Sequence, residues 1–206
     1  MIKKYKISVP KSTLNEIYKK VRNFPWSAAQ NMNGWEYGTN LNYLKNISKY
    51  WITKYNWKKF ENKINSFKNY KTKVEDINLH FIFEKSKNPN SKPLLLLHGW
   101  PGSITEFLDI IPRLAHPEKF GGKIEDGFDI IVPSLPGFGF SSQIKKALGP
   151  RKIGKILNKF MVKNLGYKNY FVQGGDWGAT IAGWIGLDSS KNCKGIHINC
   201  LPLRHP

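Results

Sequence analysis

The chain has 206 residues, 40% of them hydrophobic and 14% aromatic, which is enough apolar material for a folded core and too much for a disordered chain. Lysine and arginine number 33 against 14 acidic residues, a net charge of +19. They are scattered beside Asn and Ile with no nucleic-acid motif, so the excess reads as compositional bias and no nucleic-acid partner is expected.

Residues 1–72 read as helical and rich in aromatics. Val9-Pro10-Lys11-Ser12 opens a helix to about Val21, with Leu14, Ile17, Tyr18 and Val21 on one face, and Phe24-Pro25-Trp26 ends it. A loop through Asn31-Met32-Asn33-Gly34 follows. Gly38-Thr39-Asn40 then starts a second helix, where Leu41, Leu44, Ile47 and Trp51 recur at helical spacing. A third helix is expected over 57–67. Trp35, Tyr37, Tyr43, Tyr50, Trp51, Trp57 and Phe67 are read as packing groups of an arm rather than a ligand cage.

Strands begin near Lys73. Ile77, Leu79, Phe81 and Phe83 alternate with polar residues, the pattern of a half-buried strand, with a hairpin turn before them. Pro93-Leu94-Leu95-Leu96-Leu97 and Phe128-Asp129-Ile130-Ile131-Val132 are continuous runs, as expected of strands buried on both faces. Helices are expected over 104–114, 152–165 and 177–187, with further strands at 170–172 and 195–199. Strands alternating with helices imply a mostly parallel sheet covered on both sides. Cys193 and Cys200 fit neither a zinc nor a redox spacing, so no metal and no cofactor are expected. The N-terminus lacks an apolar signal region, and no apolar run approaches the roughly 20 residues of a bilayer span, so the expected location is cytoplasmic.

The chemistry concentrates at Gln173-Gly174-Gly175-Asp176-Trp177-Gly178-Ala179. The spacing Gly174-x-Asp176-x-Gly178 after an apolar strand matches the elbow on which α/β-hydrolases expose a nucleophile, with Asp where most carry Ser. A serine attacking an sp3 carbon would leave an ether that resists water. A carboxylate leaves an ester whose carbonyl belongs to the enzyme, and water can cleave it. Asp176 therefore points to epoxides or alkyl halides. As an alternative, Asp176 caps the following helix, since Asp is a favoured N-cap residue. Ester cleavage needs two donors for the oxyanion. In this arrangement they are the backbone N–H groups of Trp177, after the nucleophile, and of Trp100, in His98-Gly99-Trp100-Pro101-Gly102-Ser103 after the first central strand.

These blocks, together with Val132-Pro133-Ser134-Leu135-Pro136-Gly137-Phe138-Gly139-Phe140-Ser141, resemble the N-terminal half of microsomal-type and juvenile-hormone-type epoxide hydrolases. Residues 1–85, including Trp35-Glu36-Tyr37-Gly38-Thr39-Asn40-Leu41, resemble that family's N-terminal arm and first strands. Residues 86–206 resemble a partial core ending at the lid entrance. The resemblance implies an incomplete α/β-hydrolase of the α/β class, a doubly wound sheet with a helical arm. It implies Asp176 as nucleophile, Trp100 and Trp177 as oxyanion donors, and Trp100, Phe138 and Trp177 lining a site for a small epoxide.

The resemblance breaks off before the lid tyrosines that protonate the epoxide oxygen and before the His that activates water. None of His80, His98, His116, His197 and His205 matches the base position. A core ending near its sixth strand is expected to leave an unpaired edge and an open apolar face, and a second chain supplying the lid and the His is one way to complete it. A haloalkane dehalogenase-like hydrolase, which shares the Asp elbow, and a non-catalytic remnant or binding module are the rival readings.

Overall fold

The leucines at 94–97 lie at the centre of a sheet, because a strand covered on both faces takes apolar residues at every position. In the computed structural model, which describes residues 1–28 and 34–200, they belong to β4 (Lys92–Leu97). Parallel to it on either side run β5 (Phe128–Pro133) and β6 (Tyr170–Gly174), and β7 (Cys193–Ile198) extends β6 in the same sense. Toward the other edge, β3 (Ile77–Glu84) pairs antiparallel with β5. It is followed by β2 (Asn69–Val74) and the two-residue β1 (Lys3–Lys4), giving the order β1-β2-β3-β5-β4-β6-β7. The sheet is thus mixed. It is parallel along β5-β4-β6-β7, where helices cross over, and antiparallel along β1-β2-β3-β5, where β2 and β3 form a hairpin. Glu75 turns the β2–β3 hairpin at φ 56°.

The alternation of side chains across the strands divides the apolar residues between two layers. Leu95, Leu97, Ile131, Tyr170 and Val172 face α5 (Pro150–Lys159) and α6 (Trp177–Asp188), whose Ile153, Ile156, Leu157, Ile181 and Ile185 complete the main core. Full burial of each such side chain contributes about 1.5–3 kcal/mol. The opposite face is only partly covered. Leu94, Leu96, Phe128, Phe171 and Ile196 floor a groove of about 820 Å³ walled by Phe107, Ile110 and Leu114.

Two expected helices differ from the structure. The stretch 104–114 is not continuous: a 3-10 turn, Ile104–Phe107, is separated from α4 (Ile111–Ala115). Pro112 explains the break, having no N–H to give and a ring that collides with the carbonyl four residues back. The helix expected over 152–165 is α5 followed by a π-helical stretch, Phe160–Asn164.

The chain divides into two compact units, Ser8–Lys63 and the remainder. The smaller unit is built on α1 (Lys11–Arg22) and α2 (Leu41–Thr53), the latter capped by the Asn40 side chain accepting from Tyr43 N–H. A third helix, α3 (Trp57–Asn65), follows. Of the rings read as arm packing groups, Trp57 and Phe67 are half-buried, while Trp35 (60% exposed, against Tyr43), Tyr37 (71%), Tyr50 (53%) and Trp51 stay open. A unit of two main helices has too little material around such large rings, and of the residues in α1 none is buried. The loop at Asn31-Met32-Asn33 and His205 lie outside the described residues.

Candidate active site

The strand β6 ends at Gly174, and α6 begins at Trp177, so the chain reverses over two residues. Asp176 sits at the corner with φ 52° and ψ −122°, a conformation that costs a non-glycine residue on the order of 1–3 kcal/mol. The corner is tight enough to exclude side chains beside it. A Cβ on Gly178 would lie 2.1 Å from the Leu97 carbonyl oxygen, so α6 can approach the end of β4 only with glycine there.

Asp176 occupies the N-cap position of α6 and makes no side-chain cap hydrogen bond. The capping alternative is therefore overturned: the strained corner aims the carboxylate away from its own helix. It points instead at the loop after β4, where Trp100 N–H donates to Asp176 Oδ1 at 2.9 Å. Gly99 makes this approach possible, since a Cβ there would fall 2.2 Å from Oδ1 and 2.5 Å from the Asp176 Cβ. The Trp100–Pro101 peptide is cis.

Trp177 opens α6, so its N–H is one of the amides that no turn of the helix can pair. Helix-end amides carry partial positive charge and favour an anion beside them. Trp100 and Trp177 are both exposed, 68% and 41% respectively. Phe138, the remaining residue expected to line the site, is half-buried and stands edge-on to the His98 ring, with centroids 5.4 Å apart. The structure thus brings Trp100 and Asp176 into direct contact, while the contact it shows for Phe138 is with His98.

His98 braces the loop. Its buried ring accepts from Leu135 N–H through Nε2 at 3.1 Å, and Nδ1 meets the Gly99 carbonyl at 3.0 Å, an arrangement that fits one neutral tautomer donating from Nδ1. Burial holds its pKa below the ordinary histidine value, with the Gly99 carbonyl partly opposing the shift. The other described histidines have other surroundings. His80 is buried between Ser134 Oγ and Asn69 Oδ1, His116 meets Glu84, and His197 stands exposed on β7.

One nearby residue escaped the sequence reading. Glu106 accepts from Ser103 N–H at 3.1 Å and forms a reciprocal capping box with Ser103. The Ser103-x-x-Glu106 spacing is the signal that could have found it. Among the described residues, no cluster of three or more His, Cys, Asp or Glu could hold a metal, and no helix is long and apolar enough to cross a membrane.

Comparison with known proteins identifies the family and the fold. The epoxide hydrolase N-terminus family matches residues 2–107, and the α/β-hydrolase fold family matches residues 92–206. Epoxide hydrolase 1 of Oryctolagus cuniculus is 36% identical over 203 residues, covering 96% of this chain and 44% of that protein. The crystal structure of the juvenile hormone epoxide hydrolase from Bombyx mori superposes with a TM-score of 0.86 at 32% identity, covering 100% of this chain and 49% of that one. The epoxide hydrolase of Aspergillus niger gives a TM-score of 0.85 at 28% identity, covering 100% of this chain and 54% of that one. The chain spans about half the length of the curated relatives it matches.

Proposed function

This chain belongs to the epoxide hydrolase family of α/β-hydrolases, and from that membership and the corner geometry we propose that it acts on small-molecule epoxides, opening them to diols through an ester on Asp176. The observation that carries the reading is the 2.9 Å hydrogen bond from Trp100 N–H to Asp176 Oδ1, made by a carboxylate that leaves its own helix uncapped. That bond occupies one lobe of the carboxylate and leaves the second oxygen for attack.

The steps balance as follows. A carboxylate oxygen of Asp176 bonds to an epoxide carbon, the ring C–O bond breaks, and the released oxygen takes a proton to give a hydroxyalkyl ester. Water then adds to the ester carbonyl, the Asp176 Cγ, and loses a proton to a base. The negative charge forms on the oxygen that accepts from Trp100 N–H, with Trp177 N–H at the start of α6 as the second donor of this reading. Removal of one such donor typically costs about 10²–10³ in rate. Collapse breaks the bond between Cγ and the alkyl oxygen, freeing the diol and restoring the carboxylate.

The proton donor and the base are supplied, in this reading, by lid tyrosines and a histidine reaching Asp176 from other polypeptide, in the same chain or a second one. The open groove on the sheet and the strand edge at β7 support this, because an apolar face of that size calls for a cover. We place the reaction in the cytoplasm.

The test is to incubate the folded chain with styrene oxide and map adducts by peptide mass spectrometry, with Asp176→Ala as control. We expect one styrene oxide equivalent on the peptide bearing Asp176, absent in the variant. In H₂¹⁸O, each completed turnover leaves one labelled oxygen in Asp176. A folded chain that is never alkylated there overturns the proposal. Bromide release from a bromoalkane in the same assay, with styrene oxide inert, would move the substrate class to alkyl halides.

A further inference from the structure

The loop that offers the Trp100 amide is gripped from both sides by carboxylates, and only one of them is the proposed nucleophile. Asp176 receives Trp100 N–H. On the other side, Glu106 Oε1 receives Ser103 N–H at 3.1 Å, and the Gly99 backbone lies close enough to favour the charged form of the same carboxylate. Gly102 lies flat against it: a Cβ there would fall 1.6 Å from Oε1. Glu106 is therefore tied to the two residues that follow the Trp100–Pro101 peptide, as Asp176 is to the Trp100 amide itself.

An amide N–H in a loop can swing with its peptide plane. Holding the backbone just after the Trp100–Pro101 peptide reduces that freedom, so the direction of Trp100 N–H is set before charge develops, which is what oxyanion stabilisation requires. A simple helix-capping role would need less. The Ser103 hydroxyl already accepts from Thr105 N–H at 3.3 Å and contacts Thr105 Oγ1 at 2.8 Å, which serves the short 3-10 turn without Glu106.

We propose that Glu106 is a positioning residue for the oxyanion site: by holding the Ser103 backbone and packing flat against Gly102 it aims Trp100 N–H at Asp176 without itself touching the reacting atoms. The proposal rests on the reading of Asp176 as nucleophile, and its test is built to fail separately from that reading.

Wild type, Glu106→Ala, Glu106→Gln and Ser103→Ala are compared by two measurements on the whole chain. The first is the Trp100 amide proton shift, which lies downfield when the N–H bonds a carboxylate. The second is the decay of the styrene oxide ester on Asp176, followed by intact mass after the free epoxide is removed. Glu106→Ala is expected to move the Trp100 amide upfield and to slow ester decay about tenfold, a fraction of what loss of a whole donor costs. The styrene oxide concentration for half-maximal ester formation stays unchanged. Glu106→Gln keeps an oxygen for Ser103 N–H and recovers decay to within about threefold. Ser103→Ala lowers thermal stability but leaves the amide shift and the decay as in wild type, since it removes the cap and keeps the clamp.

The proposal is overturned if Glu106→Ala leaves the Trp100 shift unchanged and decay within twofold, or if Ser103→Ala reproduces its effects. Should wild type form no ester, the nucleophile reading falls alone, and the Trp100 shift in the same four proteins still decides the clamp.

Discussion

Away from the corner, a buried histidine makes the stability of the fold depend on pH. The His80 ring is fully buried in β3, held by Ser134 Oγ at 2.9 Å and Asn69 Oδ1 at 3.0 Å. Burial, and secondarily the charge of Lys71 on the neighbouring strand, pushes its pKa down to about 3 from 6.5. The folded state thus refuses a proton that the unfolded chain accepts below about pH 6.5. Stability is intact above that value and declines as pH falls, until the folded protein also protonates near pH 3. Between pH 8 and pH 5 the loss from His80 alone is roughly 2 kcal/mol, being RT times the logarithm of the unfolded-state protonation factor at pH 5. Urea unfolding of wild type and His80→Gln at both pH values isolates it, because every other titrating group is common to the two proteins. We expect wild type to lose about 2 kcal/mol more than the variant over that interval. Equal losses, within about 0.5 kcal/mol, would refute the reasoning whatever the absolute cost of the substitution.

Three further outcomes follow from the packing. Gly178→Ala replaces a poor helix former, but its methyl would meet the Leu97 and His98 carbonyl oxygens at 2.1 and 2.9 Å. It should destabilise by about 1–3 kcal/mol and lower the calorimetric Tm by about 2–4 °C for each of them; an unchanged Tm contradicts the close approach. Tyr167→Phe takes the hydroxyl away from buried Asp129, which it bonds at 2.6 Å, and should cost about 1.5–3 kcal/mol in urea unfolding; a neutral result would mean that the Ser86 and Ser91 donors suffice. The open groove should bind anilinonaphthalene sulfonate in the native state, and Ile196→Lys should quench that binding without changing the circular dichroism; equal dye fluorescence in both proteins would place the dye elsewhere.

What the sequence disclosed depended on how local the cause was. The strand–corner–helix path is legible because Gly174, Asp176 and Gly178 determine it within five residues, and the buried strands because continuous Leu and Ile runs have few other uses. The meeting of Trp100 with Asp176 spans 76 positions and was reachable only by recognising two motifs together. Whether Asp176 caps α6 could not be read at all, since Asp suits both roles and the choice lies in the φ/ψ of one residue. Pro112 was in plain view and still overlooked within an apolar stretch of helical appearance. β1 is two residues long and carries no periodicity to detect. Glu106 was passed over because its capping-box spacing reads as helix grammar, and nothing in four residues says that the same carboxylate steadies a loop.

The strain at Asp176 and the openness around it have a common logic. A relaxed N-cap aspartate would turn its carboxylate back onto the Gly178 or Ala179 amide of α6, away from Trp100 N–H. At φ 52° the side chain is turned outward, and the first-turn amides keep their partial positive charge. The conformation persists because its flanks are fixed: β6 is paired on both sides, by β4 and β7, and α6 is seated against the end of β4 at Gly178. On the facing loop the same outcome is reached by other means, with the Trp100 amide directed by neighbours rather than by its own dihedrals. A carboxylate held off its helix and an amide held toward it leave a single place where negative charge is favoured, and an ester carbonyl on Asp176 would occupy it.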